Sequence, residues 1–261
     1  QNRKLSPLGT KRNGLPHNTI YSIIRTGDNQ IYVGTYNGLC RYIASNGKFE
    51  KIPLPVNSSQ SNLFVNSLLE DTGRQCIWIG TEGYLFQYFP STGQMKQTEA
   101  FHNNSIKSLA LDGNGYLLAG TDNGLYVYHN DVTPLQHIIH DSRNIQSLTN
   151  NIIWNIFADQ EHNIWLGTDY GISLSRYNSA LQFIPISQIT GTGDGNQFYS
   201  LFRDSKGFYW FGGTNGLIRS TDPAGDKHNA IWYRMGDKTY PLSHNRIRHI
   251  YEDREQQLWI A

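Results

Sequence analysis

The chain has 261 residues, a formal net charge of +1 and only 16% charged side chains. A balance so close to neutral lays down no basic footprint for nucleic acid or for an anionic membrane surface. The length suffices for one sizeable core, and no apolar run approaches the length of a membrane-spanning helix.

Along the chain one phrase keeps returning. It is first written Tyr32-Val33-Gly34-Thr35, closed by Gly38-Leu39. It returns as Trp78-Ile79-Gly80-Thr81 with Gly83 and Leu85, and as Leu118-Ala119-Gly120-Thr121 with Gly124-Leu125. Trp165-Leu166-Gly167-Thr168 with Gly171-Ile172 and Trp210-Phe211-Gly212-Gly213 with Gly216-Leu217 follow, and Trp259-Ile260-Ala261 begins a sixth copy. The glycines at 34, 80, 120, 167 and 212 are spaced by 40 to 47 residues. A period in that range marks a repeat architecture, in which each supersecondary unit buries its apolar face against its neighbours.

Two more constants precede each phrase. Six residues upstream of the Trp position stands an Asp in four copies (Asp112, Asp159, Asp204, Asp253), with Thr26 in the first and Asp71 displaced by one residue in the second. Eight residues before that anchor stands Asn18, Asn104, Asn151, Asn196 or Asn245, with Leu63 taking the place in the second copy. The stretch between them is short, apolar and rich in β-branched residues, as in Ile20-Tyr21-Ser22-Ile23-Ile24, and reads as a strand. Turns such as Asp204-Ser205-Lys206-Gly207 follow, where Gly permits positive φ and the Asp carboxylate caps the turn.

Each unit therefore parses into four antiparallel strands. The first follows the Asn, the second ends in Trp-x-Gly-Thr, and the third is Leu39–Tyr42 or its equivalent. The fourth is Phe49–Ile52, Leu135–Ile138 or Phe183–Ile186. No segment sustains a helical period, which leaves a β-propeller blade as the unit. The predicted fold is all-β, with blades over 18–52, 63–99, 104–139, 151–187 and 196–235 and part of another over 245–261. Five and a half blades do not close a ring, so the chain is expected to belong to a longer polypeptide and to a six- or seven-bladed propeller. Lys4–Leu8 is the expected outer strand of the closing blade. The recurring Trp78, Trp165, Trp210 and Trp259 are expected in the core. Cys40 and Cys76 are expected as two buried thiols, with a bridge between neighbouring blades as the alternative.

Trp-Ile-Gly-Thr with a following Gly-Leu, together with Asn-x-Ile-x-x-Ile-x-x-Asp upstream, resembles the regulator-propeller repeats in the periplasmic sensor region of Bacteroides-type hybrid two-component system histidine kinases. His140–Ile153 resembles the linker between such blades, and Asn13–Ile20 resembles the entry into the first. Leu118 in place of Trp, Gly213 in place of Thr and Ala261 in place of Gly depart from the pattern. The resemblance covers the whole chain. It implies a periplasmic, ligand-sensing part of an inner-membrane sensor, acting as a homodimer on the rest of the same chain. Kinase activity would lie in a C-terminal part, and the ligand would be an oligosaccharide. No cofactor or metal is implied, this segment itself is not expected to be an enzyme, and no direct contact with nucleic acid is expected.

A ligand site is expected where repeats diverge. Three residues beyond each Asn stand Tyr21, Lys107, Trp154, Tyr199 and Arg248, with Asn66 in the second copy. The loop after Gly-Thr varies too, through Tyr36, Glu82, Asp122, Asp169 and Tyr170. Antiparallel strands bring both sets to one end of the blade. Aromatic rings stack on sugar faces, while Lys, Arg and Asn bond hydroxyls or carboxylates. Tyr21, Tyr36, Lys107, Trp154, Tyr170, Tyr199 and Arg248 are therefore the expected ligand-binding residues. Packing between blades competes as an explanation for Tyr21, Trp154 and Tyr199.

Other chemistry is poorly served. Glu82 and Asp169 are the carboxylates at the variable end, and nothing in the sequence couples them as a glycosidase pair. His137 and His140 would face opposite sides of a strand, which disfavours a metal. The Gly191–Gly195 loop precedes a strand, so no helix dipole awaits a phosphate there. Two readings compete with the sensor: a polysaccharide- or streptogramin-lyase-like propeller enzyme, and a protein-interaction propeller without a small ligand.

Overall fold

The computed structural model describes residues 8–55, 63–97, 104–129, 133–177, 183–185, 197–221 and 230–261, without the side chains of 183–185. The expected outer strand at Lys4–Leu8 lies outside these residues except for Leu8, as do Asn62, Asn196, Ile186 and the Gly191–Gly195 loop.

Each repeat becomes one antiparallel sheet. β1 (Ile20–Arg25), β2 (Ile31–Thr35), β3 (Gly38–Ile43) and β4 (Lys48–Ile52) pair in that order. So do β5 (Val65–Asp71), β6 (Cys76–Thr81), β7 (Leu85–Phe89) and β8 (Gln94–Gln97). The third sheet takes β9 (Ile106–Leu111), β10 (Leu117–Thr121), β11 (Gly124–Tyr128) and β12 (Gln136–Ile138). Its last strand starts one residue later than expected. The fourth takes β13 (Ile153–Ala158), β14 (Ile164–Thr168), β15 (Gly171–Ser175) and β16 (Phe183–Pro185). The fifth takes β17 (Phe198–Arg203), β18 (Tyr209–Gly213), β19 (Gly216–Ser220) and β20 (Ala230–Tyr233). β21 (Ile250–Glu252) pairs with β22 (Leu258–Ile260) as a two-stranded sheet. One helical turn, α1 (Thr10–Asn13), precedes β1. The chain divides into two compact units, Gln1–Leu109 and Ala110–Ala261.

The repeated residues hold this arrangement in three ways. The first is the glycine of Gly-Thr. A Cβ at Gly34 would meet the Val65 carbonyl oxygen at 2.6 Å, and one at Gly80 would meet Ile106 at 2.6 Å. In the second unit the corresponding contacts are Gly120 to Ile153 at 2.6 Å, Gly167 to the Phe198 carbonyl oxygen at 2.5 Å, and Gly212 to Ile247 at 2.6 Å. In every case the partner stands two beyond the Asn position of the following repeat, and all five partners are buried. The missing side chain is what lets neighbouring sheets approach so closely.

The second device is the Thr. Thr35, Thr121 and Thr168 donate their hydroxyls to the carbonyls of Gly38, Gly124 and Gly171, while Asn37, Asn123 and Tyr170 donate their N–H groups back to them. The turn glycine adopts φ near +95° to +104° in these three loops, a region that disfavours side chains.

The third is the Asp. One oxygen caps the turn as expected: Asp204 Oδ1 accepts from the N–H groups of Lys206 and Phe208, and Asp159 Oδ1 from Glu161 and Asn163. The other oxygen accepts from the Trp indole six residues on, at 2.8 Å in Asp159–Trp165 and Asp204–Trp210 and 2.9 Å in Asp253–Trp259. Asp71 bonds Trp78 at 3.0 Å across one extra residue. Asp and Trp are thus one structural pair, buried wherever a neighbouring sheet covers them.

The expectation that every repeated Trp is core needs correcting. Trp78, Trp165 and Trp210 are buried, but Trp259 is 61% exposed because its sheet has only two strands among the described residues. Ile23 is likewise 61% exposed, whereas Leu68, Leu109, Ile156, Leu201 and Ile250 at the same repeat position are buried. Cys40 and Cys76 are free, buried thiols.

Candidate functional site

The first strands of the sheets are interrupted at one recurring point. Register slips between Ile20 and Ser22, Val65 and Ser67, Ile153 and Asn155, and Phe198 and Ser200. Each slip leaves one residue unopposed: Tyr21, Asn66, Trp154 and Tyr199. In the last repeat Arg248 and His249 both donate to the Ala261 carbonyl, so two residues again face one. These are β-bulges, which re-aim the bulged side chain and break the pairing locally. The variable position found three residues beyond the Asn is therefore the bulged position itself.

The loop after Gly-Thr meets this end of the strand through the backbone. Tyr36 N–H donates to the Thr19 carbonyl, Asp169 N–H to Ile152 and Thr214 N–H to Gln197, each at 3.1 Å. In these three sheets the two variable sets share one rim.

In the unit Ala110–Ala261 three of the expected residues come together. The rings of Trp154 and Tyr199 meet edge to face, with centroids 5.2 Å apart. The Arg248 guanidinium lies 4.2 Å above the Tyr199 ring and that of Arg246 lies 5.8 Å from it, within the range of cation–π attraction. The Tyr199 hydroxyl donates to Gln197 Oε1 and accepts from Arg246, while the Trp154 indole donates to Asp169. Tyr199 is only 8% exposed, so it braces its neighbours; Trp154 is half-buried and Arg248 is exposed. Packing and recognition are thus divided among residues at one repeat position. Tyr170 follows in the adjoining turn, 55% exposed.

In the unit Gln1–Leu109, Tyr21 and Tyr36 are joined by Phe64. The Tyr36 and Phe64 centroids are 4.3 Å apart, Tyr21 and Phe64 are 6.3 Å apart, and His17 stacks on the other side of Tyr36 at 4.8 Å. Asn66 donates to the Ser105 hydroxyl at 3.0 Å. Lys107 occupies the corresponding place in β9 and is half-buried. Of the carboxylates weighed for catalysis, Asp169 is engaged by Trp154, and Glu82 bridges to Ser105 through the backbone. His137 stacks on Tyr126 and His140 bonds the Leu148 carbonyl, so the two imidazoles serve separate structural contacts.

Phe64, Ser105, Gln197 and Arg246 belong to the rim and were missed. All four stand one residue beyond the Asn position. In three cases the bulged residue of one sheet touches this position in the next: Tyr21 with Phe64, Asn66 with Ser105, and Tyr199 with Arg246. A signal was present. The residue between the two positions is always large and apolar (Ile20, Val65, Ile106, Ile153, Phe198, Ile247), so variability on both sides of it marks two rim positions rather than one.

A sequence profile of the two component regulator propeller matches residues 14–37, 147–170, 192–215 and 241–261. Each of the first three matches runs from just before the Asn to just past the Gly-Thr position. The chain is 92% identical over its full length to the extracellular domain of the proposed hybrid two component system BT4673 from B. thetaiotaomicron, with a TM-score of 0.67, and spans 35% of that chain. It is 27% identical over 187 residues to Histidine kinase P4 of Formosa agariphila, a match covering 67% of this chain and 13% of that protein. Virginiamycin B lyase from Staphylococcus aureus shares the propeller fold at 13% identity and a TM-score of 0.68. That last likeness concerns the fold alone.

Proposed function

This chain belongs to the two-component regulator propeller family, and from that we infer that it is an extracytoplasmic, periplasmic sensing segment of a hybrid two-component sensor. It recognises an oligosaccharide at the bulged rim and signals, as a homodimer, to a membrane-linked histidine kinase in the rest of its chain. The near-identity to an extracellular domain supports the placement. One observation carries the site: a β-bulge recurs at the same repeat position, and its residue changes from Tyr to Asn, Trp, Tyr and Arg while the residue before it stays apolar. A scaffold demand would hold that residue constant. Recognition uses the variation.

The chemistry of the rim suits sugars. Trp154 offers an aromatic face beside a fixed carboxylate, Asp169, and Arg248 offers a planar set of donors braced on Tyr199. The segment binds and does not transform its ligand. Signalling then requires that the ligand favour one arrangement of the dimer over another, since equal affinity for both shifts nothing.

Calorimetry with a panel of plant and host oligosaccharides tests this reading. The native protein should bind at least one member, and Trp154→Ala and Arg248→Ala should each weaken it about tenfold or more. Unchanged affinity in both variants removes the rim as the site. Chromatography of the bound sugar after prolonged incubation should return it intact; a cleaved product would favour the lyase-like reading.

A further inference from the structure

Two departures from the repeat meet at one place in the unit Gln1–Leu109. In the first sheet Tyr32 takes the position held by Trp78, Trp165 and Trp210, and Thr26 takes the position of the Asp that bonds that Trp. In the second sheet the position before the Trp is the aliphatic Ile77, as it is Leu117 and Ile164 in the third and fourth, whereas the fifth has Tyr209 there. Between the fourth and fifth sheets, the Tyr209 ring lies tilted against Trp165 with centroids 5.2 Å apart and its hydroxyl reaches Asp159 at 3.4 Å, so Trp, Asp and Tyr fill the junction. Between the first and second sheets Tyr32 and Ile77 are smaller than the Trp165 and Tyr209 they correspond to, and Thr26 stands in place of the carboxylate. Thr26, Tyr32 and Ile77 there line a cavity of about 580 Å³. That lies within the range of small-molecule sites, about 300–1,000 Å³.

The polar groups lining it are of mixed kind. Arg41 gives its Nη2 to Glu50 at 2.7 Å, while its Nε is buried without an acceptor. Glu70 accepts the Gly27 N–H with both oxygens at 3.0 Å, and Asp28 accepts from the Thr26 hydroxyl and the Gln30 N–H. Both carboxylates keep lone pairs for further donors. A wall that offers several acceptors in Glu70 and Asp28, over a floor of Tyr32 and Ile77, matches the hydroxyls of a polyol, which donate to them. Asp28 and Glu70 beside a guanidinium already paired with Glu50 disfavour an anion.

We propose that this junction binds a small uncharged polyhydroxylated molecule of mono- or disaccharide size, at a site separate from the bulged rim. The proposal does not depend on the rim reading, because none of its residues belongs to the rim.

The test is calorimetry with methyl α-glucoside, methyl β-galactoside and lactose, with glucuronate as the charged comparator. At least one neutral sugar should bind, with glucuronate at least tenfold weaker. The double variant Thr26→Asp/Tyr32→Trp restores the repeat's own pair and fills the cavity. It should keep or raise the melting temperature and weaken binding more than tenfold. If that variant fails to fold, Ser91→Trp at the exposed edge of the cavity provides a second block with the same expected loss. No binding of any neutral sugar, tighter binding of glucuronate, or binding that survives the folded blocking variants would each overturn the proposal.

Discussion

The Cβ that Gly167 lacks would sit 2.5 Å from the backbone carbonyl oxygen of Phe198 in the next sheet. A backbone oxygen cannot swing aside as a side chain can, so the sheets themselves would have to part. Gly167→Ala should therefore cost about 3 kcal/mol or more. Gly27, where an added Cβ meets nothing closer than 3.7 Å, is the control, and Gly27→Ala should stay within about 0.5 kcal/mol. Urea titrations of both variants give the comparison.

Asp204 joins two functions in one side chain. Trp210→Phe removes the single indole bond to a buried carboxylate and should cost about 1–3 kcal/mol. Asp204→Ala removes that bond and both turn bonds, and should cost more. An equal or inverted order in thermal unfolding would refute the division of labour between the two oxygens.

Asp71 carries a pH dependence. Burial raises its pKa, but the bonds from Trp78 and Arg74 outweigh that and hold the group below the ordinary carboxylate value. A carboxyl depressed in the folded state contributes stability above its unfolded pKa, about 3.9, and loses it as pH falls through the lower folded value. The stability gap between native protein and Asp71→Asn should be full at pH 7, begin to close near pH 4 and shrink steadily below it. A gap constant from pH 7 to pH 2 would contradict this.

The cysteines should be silent in the folded state. Burial pushes the Cys40 thiol up to about 12 and raises that of Cys76 as well, so neither forms much thiolate near neutrality. A thiol-reactive dye at pH 8 should label both only after denaturant is added. Rapid labelling without denaturant would show that the sheets open locally.

Arg248 separates recognition from stability. It is exposed, and its guanidinium lies over the Tyr199 ring. Arg248→Ala should leave unfolding within about 0.5 kcal/mol while weakening the oligosaccharide. Parallel loss of both would mean that the stack is structural.

Much of this was legible in the residues. The Gly-Thr phrase placed every second strand and its turn, because those positions answer to local sterics. The bulged position was legible as variation three residues beyond the Asn. Its partner position was not, since Phe64 and Arg246 look like ordinary surface residues until the neighbouring sheet brings Tyr21 and Tyr199 against them. The Asp–Trp bond escaped for another reason: the turn explained the Asp completely, which hid its second oxygen.

The order of residues by itself determined the four-stranded unit, its recurrence and its turn glycines, because period and backbone freedom are properties of short segments. Only the tertiary structure decided that Tyr199 is buried and Arg248 exposed at one repeat position, and that Tyr32 and Thr26 leave a cavity. Those outcomes depend on how one sheet is staggered against the next, and that stagger arises from groups tens of residues apart in the chain.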